Sequence, residues 1–240
     1  MHLYLVIPAR NEEKRIEKTL RDYLLLQNYL KSFTLTVISD SSTDSTESIV
    51  KSYMGKYHDL RLQSSVIRRG KGGAIIYGFN YLLNEAKDND IIGFVDADDS
   101  VNAKEVQRLV NFLAKDTSID CIIGTRRCKH KAKNITFIRS LFSRSYNVFV
   151  RILFQLKISD TQCGCKFVKV YALRKIINKL TIKNVVFDLN LLYELKHAHY
   201  SIKEVCVNYF NAPGGIKPQI FKIFKTTLEY RIFGYKFFKH

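Results

Sequence analysis

Apolar runs that stop abruptly in polar clusters recur along the first hundred residues of this chain. Leu3–Ile7 closes in Pro8 and Arg10, and Phe33–Ser39 closes in Asp40 and a Ser/Thr run. Leu62–Ile67 ends in Arg68, Arg69 and a Gly/Lys stretch, and Ile91–Val95 ends in Asp96, Ala97, Asp98 and Asp99. Short β-rich runs bounded by turn residues predict buried strands. Helical periodicity fills the gaps. One helix runs toward Leu30, with Asn11 as the expected N-cap and Glu12 and Glu13 at its positive end. Others run through Ile49 and Val50, from Ala74 to Ala86 and from Ala103 to Leu113, and Asp120–Gly124 predicts a further strand. This alternation predicts an α/β fold with a mainly parallel central sheet flanked by helices. Ligands of such sheets bind at the carboxyl ends of strands, which here carry the polar clusters and predict a nucleotide pocket.

The pattern changes after Gly124. Arg126, Arg127, Lys129, Lys131 and Lys133 form a basic stretch, the one candidate boundary. Residues 137–156 then predict an amphipathic helix, with Ile138, Phe142, Phe149, Ile152 and Leu153 on one side and Arg139, Ser143, Arg144 and Arg151 on the other. Such a helix suits either a membrane interface or packing on the sheet. Residues 160–166, DTQCGCK, read as a polar loop before another apolar run. Asp188 opens a helix over Leu189–Lys196, where its bland role is an N-cap. A late strand spans Ile202–Tyr209, and Pro218–His240 is basic and amphipathic.

Charge narrows the partners. Lys and Arg total 39 against 22 Asp and Glu, a net +17 that predicts an anionic partner. Nucleic acid is excluded by the lack of its motifs and by the acidic strand end, which would repel a phosphate backbone. An anionic membrane surface and phosphate-bearing substrates remain. Five cysteines without a CxxC pair read as reduced thiols. No signal peptide and no apolar run of about 18 residues is present, so a cytoplasmic protein without a transmembrane helix is expected.

Candidate chemistry sits at the strand ends. Asp96 and Asp98 form a D-x-D pair of hard oxygen ligands for Mg²⁺ or Mn²⁺, although D-x-D alone fits a solvated acidic turn equally well. Gly70, Gly72 and Gly73 permit close backbone approach, and Arg68, Arg69 and Lys71 supply charge for phosphates. The pattern is not a Walker loop.

The motifs in order are VIPARNEE (6–13), SDSSTDST (39–46), RRGKGGA (68–74), VDADD (95–99), GTR (124–126), R-x-x-x-S (139–143), DTQCGCK (160–166), FD (187–188) and VNY (207–209). The set resembles the family 2 glycosyltransferases, in the branch that glycosylates polyprenyl phosphates. The resemblance implies the GT-A fold, a Rossmann-like nucleotide-diphospho-sugar transferase architecture with C-terminal amphipathic helices. It implies a nucleotide-sugar half over 1–125, an acceptor half over 126–215 and a basic amphipathic helix over 216–240. Pro8, Arg10 and Glu12 would border the base and ribose, Asp40 would bond the nucleoside, and Lys71 would sit near the nucleotide. Asp96 and Asp98 would hold the metal, Asp98 as the direct ligand. Arg126, Arg139 and Ser143 would hold the acceptor phosphate, and Asp160, Gln162 and Asp188 would line the sugar and acceptor end. The implied catalytic set is Asp98, Arg126, Arg139 and Asp188.

The implied reaction is inverting transfer of a hexose to a dolichyl or undecaprenyl phosphate. UDP-glucose is the favoured donor and GDP-mannose the second. The protein would lie peripherally on the cytoplasmic face of a membrane. Two positions depart from the family pattern. Ser39 stands where a first Asp is common, and Asn190 replaces a frequent Glu. A glycan or lipid hydroxyl acceptor would need that carboxylate as a base. A phosphate monoester is already anionic and does not.

Overall fold

The computed structural model of the chain describes residues 1–126, 137–209 and 220–234. The expected strands assemble into one seven-stranded sheet in the order β3-β2-β1-β4-β6-β5-β7. β1 (Leu3–Ala9), β2 (Phe33–Asp40), β3 (Leu60–Ser65) and β4 (Ile91–Val95) run parallel. Leu5 of β1 stands between Leu35 and Gly93. α1 (Ile16–Leu24), α2 (Thr46–Met54) and α3 (Gly70–Leu83) make the crossovers, and α4 (Ala103–Lys115) leads into β5 (Cys121–Thr125). α5 (Phe137–Phe154) follows, its side chains described from Ser145 onward except for Asn147.

Cys165–Lys169, expected as part of a loop and an unassigned apolar run, forms β6. It lies antiparallel between β4 and β5, with Lys166 opposite Phe94 and Phe167 opposite Ile122. Its reversed direction starts it at the edge where β1, β2, β4 and β5 end. α6 (Val170–Ile176), α7 (Phe187–His197), β7 (Ile202–Cys206) and α8 (Ile220–Phe233) complete the described elements.

Strand side chains alternate between the two faces, so each face carries its own core. Leu3, Leu5 and Ile7 pack with Leu20, Val106 and Leu109 on one side. Val6, Phe94 and Val168 pack with Phe79, Val150, Phe187 and Leu191 on the other.

Several expectations are corrected. α1 begins at Ile16, and Asn11 is not its cap: it takes a left-handed backbone (φ +54°) and accepts a hydrogen bond from the Thr43 amide at 2.9 Å. Glu13 likewise serves the Ser45 amide rather than the helix end. These bonds tie the loop after β1 to the loop after β2. α3 starts at Gly70, not Ala74, so its glycines form the first helical turn. At Gly72 a Cβ would overlap the Ile182 carbonyl and the Phe187 Cβ. In α5 the expected Phe149 and Leu153 do pack on the core, half-buried, but the fully buried stripe is Tyr146, Val150 and Phe154, spaced four apart, and Ile152 faces solvent at 75% exposure. Ile138 and Phe142 have side chains outside the described set. Cys121, Cys163 and Cys165 are free thiols, but Cys206 is disulfide-bonded, against the expectation of reduced thiols throughout. Among the described residues no helix is long and apolar enough to cross a membrane.

Candidate active site

The carboxyl edge of the sheet gathers the residues that the sequence singled out. Pro8, the last residue but one of β1, pairs with Ile38 of β2, while Arg10 just beyond the strand is exposed. Glu12 is part-buried and carries Arg15 at 2.6 Å, and its amide donates to Thr46 Oγ1 at 2.8 Å. Asp40, at the end of β2, is buried and accepts from the Arg69 amide at 2.5 Å and the Gly70 amide at 2.9 Å. A carboxylate on the first amides of a helix offsets the helix dipole and fixes where α3 begins. Asp40 therefore sets the position of Lys71, one residue further on.

Lys71 reaches across the edge. Its Nζ lies 2.6 Å from Asp96 Oδ1 and 3.8 Å from Asp188 Oδ2. Burial disfavours its ammonium, but Asp96 first and Asp188 next outweigh that and raise its pKa above the ordinary lysine value. Asp96 leaves β4 through a backbone bond to the Gly164 carbonyl at 3.1 Å, and its carboxylate packs flush on Gly164, where any Cβ would overlap it. The glycine of the DTQCGCK segment is thus required by Asp96. Asp98 accepts from the Ser100 amide at 3.1 Å through Oδ1, leaving Oδ2 without a hydrogen bond among the described residues. Asp99 turns back with φ +54° to meet Lys18 at 2.8 Å.

Further along, Arg126 and Asp160 come together as a fork. Nε donates to Oδ2 at 2.7 Å and Nη2 to Oδ1 at 2.8 Å, and the Arg126 amide adds a third bond at 3.1 Å. The guanidinium also covers the Tyr209 ring at 5.2 Å. Burial works against the Asp160 carboxylate, but Arg126 outweighs it and holds its pKa below the usual value. Gln162 lies beside this pair in sequence, and its amide nitrogen is buried without a partner among the described residues. An unengaged buried donor is a place for a ligand oxygen or an ordered water. Arg139 and Ser143 lie on α5, four residues apart, with side chains outside the described set.

Asp188 is in the first turn of α7, one residue inside the helix rather than capping it. It is buried, with Oδ1 on the Lys166 ammonium. Lys166 is a residue that the sequence left without a role, because a lysine in a short apolar run reads as a solvent-facing break. Asn190 is fully buried and bonded on all sides. Oδ1 accepts from the Thr181 and Ile182 amides, and Nδ2 donates to the Lys179 carbonyl at 3.2 Å and to Tyr230 at 2.8 Å. It is a structural hub that joins α7 to α8.

The donor set at the end of β4 fits a hard divalent cation. Asp96 and Asp98 present carboxylate oxygens two residues apart, and Asp98 keeps an oxygen without a hydrogen bond among the described residues. Among the described residues no cluster of three or more His, Cys, Asp or Glu side chains is placed to hold an ion unaided. Mg²⁺ sites of one or two carboxylates completed by substrate phosphates and water have this composition.

A Rossmann-like sheet with this acidic strand end and a buried antiparallel strand defines a GT-A glycosyltransferase. The chain belongs to glycosyl transferase family 2, whose model matches residues 4–177. It is 30% identical over 227 residues to the dolichyl-phosphate beta-glucosyltransferase of Dictyostelium discoideum, covering 89% of this chain and 68% of the relative. The enzyme of that name from Mus musculus is 28% identical, over 88% of this chain and 68% of its own length. Among solved structures, glucosyl-3-phosphoglycerate synthase from Mycobacterium tuberculosis in complex with UDP superposes with a TM-score of 0.69. That match has 19% identity and covers 96% of this chain and 79% of the other.

Proposed function

We propose that this family 2 glycosyltransferase moves glucose from UDP-glucose to the phosphate of a dolichyl-type polyprenyl lipid, with inversion. Support for the acceptor comes from relatives named for that reaction, which align along most of the chain. The observation that carries the reading is the engagement of Asn190 and Asp188. The position that would offer a base holds a fully bonded amide, and the nearby carboxylate is held by two lysines. A hydroxyl acceptor needs proton removal, whereas a phosphate monoester attacks as the anion.

In this reading residues 1–125 bind the donor. Pro8, Arg10 and Glu12 border the base and ribose, Asp40 bonds the nucleoside from the head of α3, and Lys71 lies against the diphosphate. Asp96 and Asp98 would hold Mg²⁺ or Mn²⁺, which when bound neutralises charge on the departing diphosphate. Residues 126–215 bind the acceptor. Arg126 and Arg139 grip the lipid phosphate through planar forks, with Ser143 and Gln162 as neutral partners. Asp160 holds Arg126 in the orientation that presents its outer edge. An acceptor oxygen attacks the anomeric carbon as the bond to the diphosphate breaks, and UDP leaves with that electron pair. Alignment of the two anions across one cleft supplies the proximity that the reaction needs.

The membrane contact of this reading uses α5 and α8. They pack through Tyr146, Phe149 and Phe224, yet leave Val148, Ile152, Leu228, Ile232 and Phe233 exposed. With the basic charge of the chain, that apolar face suits peripheral binding to an anionic surface on the cytoplasmic side. The test is a panel of UDP-glucose and GDP-mannose against a short polyprenyl phosphate and the matching polyprenol, each with Mn²⁺. Transfer of glucose to the phosphate alone is the expected result. Transfer to the alcohol, or from GDP-mannose only, would replace this reading by its alternatives.

A further inference from the structure

Lys166 has no outlet to solvent and lies in the middle of the sheet. It is fully buried on β6 between β4 and β5, where an apolar residue is the ordinary occupant. Its Nζ donates to the Cys163 carbonyl at 2.6 Å and to Asp188 Oδ1, and lies 5.4 Å from the centre of the Phe94 ring. The Lys71 ammonium lies 5.7 Å from the centre of the same ring. Asp96, Lys71, Asp188 and Lys166 therefore form a row of alternating charge that starts at the cleft and ends in the core.

We propose that Lys166 is a positioning residue for donor binding, acting through Asp188 on Lys71. The argument rests on the donor reading above and on how Asp188 is shared. One oxygen is held by Lys166, while the other stands 3.8 Å from Lys71, beyond a direct hydrogen bond. Lys71 is thereby left to lie at 2.6 Å from Asp96, at the rim where a diphosphate docks. Removal of the inner ammonium gives Lys71 the whole attraction of a buried carboxylate. The ammonium is then drawn inward, away from the rim. A buried ion pair contributes little net stability, since desolvation offsets the attraction. A site role explains the lysine better than a folding role does.

The test is calorimetric binding of UDP with Mn²⁺ to wild type, Lys166→Met, Asp188→Asn and the double variant. Met fills the volume of the lysine stem without charge. Lys166→Met is expected to bind UDP about tenfold more weakly, the size of coupling found between residues in one charge network. Its donor KM rises while its acceptor KM holds. The double variant recovers most of the affinity, because nothing is left to pull Lys71 inward. A folded Lys166→Met with UDP affinity within about twofold of wild type overturns the proposal. Should Lys166→Met not fold, Asp188→Asn is compared with the double variant. Equal affinities support action through Asp188, and weaker binding in the double variant refutes it. A wild-type protein that binds no UDP removes the donor reading itself, a result distinct from an unchanged Lys166→Met.

Discussion

The carboxylate of Asp96 rests on the bare backbone of Gly164, across the junction of β4 and β6. Two segments far apart in sequence meet there with no room for a methyl group. Gly164→Ala forces Asp96 off its place while leaving the rest of the edge intact. Turnover is expected to fall about a hundredfold, the scale of a misplacement near 1 Å. Steady-state rates beside thermal melts check this, with the melt expected to move far less than the rate.

Asp98 stands just beyond the end of β4 with one oxygen that bonds to nothing among the described residues. Asp98→Ala is expected to abolish Mn²⁺ binding in spin-resonance titrations and to abolish transfer. Stability should change by no more than about 0.5 kcal/mol, as for substitutions outside the core network. Retained turnover in this variant would remove Asp98 from the reaction.

The Arg126–Asp160 fork carries a pH signature. The folded pKa of Asp160 is depressed, so the pair stabilises the fold at pH values above the unfolded aspartate pKa. That contribution is lost as pH falls below about 4 and through the lower folded value. Asp160→Asn breaks a buried pair and is expected to cost about 3–5 kcal/mol near neutrality. Urea melts at pH 7 and pH 3 should show the gap between wild type and variant narrowing at the acid end.

Asn190→Asp restores a carboxylate at the position where the family frequently has one, but in a site built for an amide. The Lys179 carbonyl would lose its donor and face an anion. A loss of about 1–3 kcal/mol is expected with no gain in rate, read by melts and by transfer assays. A faster enzyme would mean that the reaction lacks a base.

Most of the edge was legible because its signals are local. β4 with its acidic end, the glycine and lysine pattern of α3 and the polar ends of β1 and β2 each lie within one short window. What the sequence hid depends on contacts distant along the chain. β6 carries no clear strand pattern because Lys166 and Lys169 interrupt its apolar run, and only the Asp188 carboxylate in α7 explains why a lysine is buried there. Asn11 looked like a cap because its partner Thr43 lies in the next loop. On α5 the sequence places Phe149 and Leu153 on the packed side correctly, but it cannot tell Ile152 from Tyr146, Val150 and Phe154, because only packing against α8 selects among them. The fork between Arg126 and Asp160 spans 34 positions and has no local signature.

The seat of the donor is tested most directly by anomalous scattering from crystals grown with Mn²⁺ and UDP. The account expects one manganese peak within coordination distance of Asp98, with the diphosphate on its far side and the Lys71 ammonium beside it. A diphosphate bound elsewhere on the chain, or manganese held away from Asp96 and Asp98, would contradict it.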